Sequence, residues 1–130
     1  NTKEILYLEY KYTKKDHENF MNFSGDNSPV HTNKLFAIKN GFKNIIGYAF
    51  FFNILVSNIL GKIYPGGSEL CVRSDSYFIK PFYINDTFLI QIILKKKNQK
   101  LKLLNLTINI TNQRNEKIYQ SDFLLNLNLN

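Results

Sequence analysis

The chain has 130 residues and a mass of 15.3 kDa, with 44% hydrophobic and 15% aromatic residues, the size of one small globular domain. Two independent cores, intrinsic disorder, collagen and a disulfide scaffold are all excluded. Lys+Arg number 17 against 10 Asp+Glu, a net charge of +7, yet only Arg73 and Arg114 are arginines.

Base readout favours the forked guanidinium, and no helix-turn-helix, zinc or RNP-type pattern is present, so the lysines read as a solvated surface rather than a nucleic-acid footprint. The 18 asparagines beside abundant lysine and isoleucine read as the drift of an AT-rich genome. One cysteine, Cys71, excludes an internal disulfide and leaves no zinc spacing, which fits a reducing, cytoplasmic compartment and no metal. Lys3 to Lys15 alternates polar and apolar residues instead of leading a signal sequence.

In chain order, Ile5 to about Tyr12 reads as an opening strand. Thr13 can cap a short helix from Lys14 to about Asn22, with Asp16 and Glu18 where the helix dipole favours acids. Within that charged helix His17 reads as a solvated side chain. The stretch FSGDNSPVH reads as loop, because Pro29 cannot continue helical hydrogen bonding. Thr32 or Asn33 can cap a second short helix, Lys34 to Lys39, which Asn40-Gly41 stops.

The uncharged run Asn44 to Gly61 approaches the length of a membrane span, but Asn53, Ser57 and Asn58 interrupt it. It is therefore expected to be a buried helix, Tyr48 to Lys62, wrapped by a curved sheet. Four β-rich runs follow: Glu69 to Ile79, Thr87 to Lys97, Leu101 to Thr111 and Lys117 to Leu127. The whole predicts a single α+β domain over residues 1–130, an antiparallel sheet of about five strands around one long apolar helix. A loose tail is expected from Asn126.

Asp26 and His31 lie five apart in a turn-rich loop just before a helix. A carboxylate beside a neutral imidazole can divide two proton transfers near pH 7, one group taking a proton while the other gives one. The same spacing also suits a capping Asp and a structural His.

The segment FMNFSGDNSPVHTNKLFA, Phe20 to Ala37, resembles the signature of the MaoC-like hydratases and dehydratases, the (R)-specific enoyl-CoA hydratase group of hotdog-fold proteins. Phe20, Ser24, Gly25, Asp26, Pro29, Val30, His31 and Ala37 carry the match. Gly41 to Gly66 is similar to that family's apolar helix, and Phe78-Ile79-Lys80-Pro81 with Asn85-Asp86-Thr87 to its strand-turn-strand block.

The resemblance implies a hotdog fold, a homodimer or larger homo-oligomer, and a lyase of fatty-acid type working on an acyl thioester of CoA or acyl carrier protein. No cofactor is implied beyond the CoA or phosphopantetheine of the substrate itself. Asp26 and His31 become the catalytic pair for reversible hydration of a 2-enoyl thioester to its (3R)-hydroxyacyl product. The Ala49 N–H becomes the oxyanion donor, with Tyr48, Ser28 and Gly25 completing the substrate-binding set. A helix amino terminus suits that task, since its N–H groups are unsatisfied.

Two positions depart from the pattern: Ser28 stands where Asn is usual, and Ala49 where Gly is usual. Phe50, Phe51 and Phe52 read as core rather than acyl pocket. Lys95, Lys96, Lys97, Lys100 and Lys102 read as a solvated hairpin, and Arg73 as a possible phosphate contact. A hotdog thioesterase and a non-catalytic acyl-thioester-binding protein are the alternatives. The first is weakened because Tyr48 to Gly61 carries no acid.

Overall fold

The computed structural model describes residues 4–128. Strand β1, Ile5–Lys11, leads into helix α1, Lys14–Ser24. Thr13 starts α1 through a reciprocal cap: its hydroxyl accepts from the Asp16 N–H at 3.1 Å, and the Asp16 carboxylate accepts from the Thr13 N–H at 3.0 Å. The Tyr10 hydroxyl donates to the same carboxylate at 2.9 Å, tying the helix start back to β1. Gly25, at φ +75°, ends α1 in the left-handed conformation that glycine adopts at least cost.

The expected loop through His31 is instead partly helical: α2 is a single turn, Pro29–Thr32. Pro29 stands at its start, where a missing N–H costs no hydrogen bond. Asn33 then caps α3, Lys34–Lys39, by accepting from the Phe36 N–H at 3.1 Å, and Asn40 stops it as the sequence indicates.

The apolar helix runs as α4, Phe51–Asn58, and continues in a π-helical turn, Ile59–Ile63. It begins three residues later than expected, because Tyr48, Ala49 and Phe50 form a tight turn whose carbonyls accept from N–H groups only three residues on. Phe51, Phe52, Leu55, Val56, Ile59 and Leu60 are buried, while Asn53, Ile54, Ser57 and Asn58 form an exposed stripe. The polar interruptions therefore share one face. Among the described residues no helix is long and apolar enough to cross a membrane.

Strands β2 (Leu70–Phe78), β3 (Thr87–Asn98), β4 (Leu103–Thr111) and β5 (Lys117–Asn126) follow. The sheet has the order β1-β3-β4-β5-β2 and is antiparallel throughout. Alternate residues of the central strands, among them Phe88, Ile90, Ile92, Leu104, Leu106 and Ile108, are buried in one core with α4. Phe52 anchors that core, stacked on Tyr119 at 4.5 Å and tilted against Phe82 at 4.8 Å and Phe88 at 5.4 Å. Each such burial contributes about 1.5–3 kcal/mol.

Strand β2 is an edge, bonded to β5 alone. Leu70, Val72, Tyr77 and Phe78 on it are exposed, Val72 at 58%. The five lysines from Lys95 to Lys102 surround the β3–β4 turn, all exposed, as a solvated hairpin requires. The tail expected to be loose begins at Asn126, the last residue of β5, and residues 129–130 lie outside those described.

Candidate active site

Asp26 follows directly on the left-handed Gly25, so the end of α1 aims it away from the helix. Its carboxylate accepts from the Ser28 N–H at 3.0 Å and from the Ser28 hydroxyl. Those bonds hold Asp26 below the usual Asp value, and His31 nearby lowers it further. Ser28 thus replaces the usual Asn by orienting the acid directly. Gly25 donates its own N–H to the Met21 carbonyl at 2.9 Å, so that donor is spent on the cap.

His31 lies in the turn α2, half-buried. Its Nδ1 is 2.8 Å from the Ile46 carbonyl, which can only accept, so Nδ1 carries the proton and a neutral ring keeps its lone pair on Nε2. The Ile46 N–H in turn donates to the Val30 carbonyl at 3.1 Å, fastening α2 to the segment that precedes α4.

Tyr48 joins both members of the pair. Its ring stacks on His31 with centroids 4.0 Å apart, and its hydroxyl donates to the Asp26 carbonyl at 2.5 Å. Tyr48 is thus an aromatic packed just ahead of α4, and its phenol adds a polar tether. Of the neighbouring phenylalanines, Phe51 and Phe52 are core as expected, whereas Phe50 is 62% exposed and lies edge-on to Phe78.

His17 corrects the sequence reading. It is 4% exposed, not solvated, and its ring lies 4.7 Å from that of Tyr48. Nε2 is 2.8 Å from the His31 carbonyl and Nδ1 is 2.7 Å from the Tyr12 hydroxyl. The carbonyl can only accept, so Nε2 carries the proton and Nδ1 accepts from Tyr12. Tyr12, fully buried, receives the Tyr48 N–H at 3.4 Å. The sequence did hold a signal for this: His17, Phe20 and Met21 fall at helical spacing, one inward stripe among charges.

A groove of about 250 Å³ opens beside this cluster, lined by Ile46, Gly47, Ala49, Phe52, Phe78 and Phe82 among others. The N–H groups of Ala49 and Phe50 have no partner among the described residues, as expected ahead of a helix. The Gly47 N–H donates to the Phe82 carbonyl at 2.6 Å, and the Phe82 ring occupies the space a Cβ at position 47 would need. Arg73 is not brought to this place. It pairs with Asp75 at 3.5 Å and lines a separate polar groove with Lys95, Asn105 and Asp122. Among the described residues no cluster of His, Cys, Asp and Glu has the makings of a metal site.

An ionised carboxylate and an imidazole with a bare nitrogen thus share Tyr48, and Ile46 and Ala49, on either side of that tyrosine, line the apolar groove. Over residues 2–115 the sequence matches the MaoC like domain. The chain belongs to that family.

The α+β architecture is accordingly the hotdog fold, with α4 and its π-helical continuation as the central helix. Among solved structures, the MaoC-like chain is similar to the (R)-hydratase from A. caviae involved in PHA biosynthesis, with a TM-score of 0.88 and 19% identity over 98% of this chain and 96% of that one. It is similar to an R-hydratase from Pseudomonas aeruginosa in the unliganded form, with a TM-score of 0.88 and 17% identity over 100% and 83% of the two chains. A third likeness is to the HadBC (3R-hydroxyacyl-ACP dehydratase) complex from Mycobacterium tuberculosis, at 0.77 and 14% identity over 95% of each chain. A search of curated proteins by sequence found no match.

Proposed function

We propose that this MaoC-like domain is a hydro-lyase that adds water reversibly across a trans-2-enoyl thioester of CoA or acyl carrier protein. The O–H bond of water breaks, hydroxyl joins C3, a proton joins C2, and the product is a (3R)-hydroxyacyl thioester. The observation that carries this reading is the joint mounting of Asp26 and His31 on one tyrosine and one carbonyl at the start of α4, beside unpaired helix-start N–H groups. Asp26, held ionised by Ser28, and the Nε2 of His31 are the two groups able to exchange protons with water and C2. The Ala49 N–H meets the charge that grows on the thioester carbonyl, and Tyr48 and Ser28 orient the pair. The family and the hydratases and dehydratase that share its fold support this reaction class.

The same reading includes a homodimer in a reducing, cytoplasmic setting. Its support is the apolar, unpaired edge of β2 and the single exposed Cys71. The thioesterase alternative gains nothing, since α4 and its continuation bear no carboxylate.

Ultraviolet absorbance at the enoyl-thioester band tests the assignment, using crotonyl-CoA and longer trans-2-enoyl-CoAs. Wild type should bleach the band, and Asp26→Asn and His31→Gln should each slow it by about 10²- to 10⁴-fold while still unfolding cooperatively as folded proteins. Equal rates in wild type and both variants would remove the pair from the mechanism.

A further inference from the structure

Four elements meet at one buried imidazole. His17 from α1 donates to the carbonyl of His31 in α2 and accepts from Tyr12 at the end of β1, and Tyr12 accepts from Tyr48 ahead of α4. With the proton fixed on Nε2, each hydrogen bond in this line has one possible direction. The line ends on the backbone of His31 at one side and on the residue before Ala49 at the other.

We propose that His17, together with Tyr12, is a positioning residue that locks the His31 turn to the start of α4 only while its imidazole is neutral. Protonation puts a second N–H opposite the Tyr12 hydroxyl, which must then turn its own hydrogen away. In this enclosed setting the displaced hydroxyl hydrogen loses its acceptor, and a charge is left among Tyr12, Tyr48 and His31. The titratable and charged groups that face His17 are Tyr12 from β1, His31 from α2, Tyr48 from the approach to α4, and Glu18 from its own helix. Burial is the largest influence and pushes His17 below the usual His value of 6.5; His31 works in the same direction, while its carbonyl and Glu18 oppose.

The sign follows from that direction. A lowered folded value means that the unfolded chain takes up the proton first. Stability supplied by neutral His17 is therefore complete above about pH 6.5 and is lost as pH falls toward the folded value.

This proposal rests on the hydratase reading for its kinetic arm, and a spectroscopic arm stands apart from it. Nitrogen-15 spectra of both imidazoles against pH, thermal midpoints, and kcat and KM on trans-2-enoyl-CoA are measured for wild type, His17→Leu, His17→Gln and Tyr12→Phe. Wild-type His17 should show the Nε2–H tautomer at neutral pH, and His31 resonances should move as His17 titrates. His17→Leu should lose about tenfold to a hundredfold in kcat with KM within about threefold. His17→Gln, which keeps a donor and an acceptor, should recover most of that and lack the His17 step in its pH profile.

The proposal is overturned if His17 carries its proton on Nδ1. It is overturned equally if folded His17→Leu keeps wild-type His31 resonances. Should His17→Leu fail to fold, Tyr12→Phe and His17→Gln decide it by the same resonances. Absence of turnover in wild type would sink the hydratase reading, while the spectra would still decide the coupling.

Discussion

The Tyr48 hydroxyl reaches across 22 residues of chain to donate to the Asp26 carbonyl at 2.5 Å. Because its ring also stacks on His31, one side chain sets the position of both members of the proposed pair. Tyr48→Phe keeps the stack and removes the tether. The expected cost is about 0.5–1.5 kcal/mol in stability, with kcat lowered by about tenfold and KM nearly unchanged. Calorimetry and initial rates on an enoyl-CoA measure the two effects separately, and an unchanged kcat would show that the tether serves stability alone.

Ser28→Ala removes one of the two bonds that keep Asp26 ionised. Asp26 should then titrate closer to its ordinary value of 3.8. A depressed carboxyl contributes stability above its unfolded value and loses it as pH falls through the folded one, so the variant should become acid-sensitive at a higher pH than wild type. Carbon-13 titration of the Asp26 carboxyl gives the direction, and a downward movement would contradict it.

Gly47→Ala drives a methyl group into the Phe82 ring on a backbone already fixed by the bond between their main chains. Overpacking of this sort costs about 1–3 kcal/mol, a thermal midpoint lower by roughly 4–15 °C. Adding Phe82→Leu should recover part of the loss. A wild-type midpoint for the single variant would mean the ring moves aside freely.

Two lysines on the β2 edge, Leu70→Lys with Val72→Lys, should convert a dimer to a folded monomer as read by light scattering. The same protein should lose activity if a second copy completes the substrate groove. A monomeric wild type would remove the dimer from the proposal.

Much of this arrangement is legible in the sequence because local chemistry and tertiary context agree. Thr13, Asn33 and Asn40 bound their helices as side-chain capping dictates, and the four later strands fall within two residues of where their β-branched runs begin and end. The exceptions have identifiable causes. Pro29 opens a helical turn because a proline obstructs only the residues that precede it. The late start of α4 comes from the turn at Tyr48 to Phe50, where Tyr48 also gives its N–H to a tyrosine 36 positions away, a contact no local rule contains. His17 looks solvated among lysines and acids, and its helical spacing with Phe20 and Met21 is a weaker signal than the charges around it until the Tyr12 contact shows that it faces inward.

Every hydrogen bond described at the candidate site joins residues between Tyr12 and Tyr48, apart from the one that Gly47 gives to Phe82. That exception uses main-chain atoms, so the bond itself, unlike the packing of the Phe82 ring on Gly47, places no demand on side-chain identity. Mutational pressure toward lysine, asparagine and isoleucine can therefore rewrite the second half of the gene extensively, provided the inward pattern of the strands survives. Divergence should be fastest where only hydrophobicity is asked of a position, and a lineage under strong nucleotide bias can wander far from its relatives without touching its chemistry.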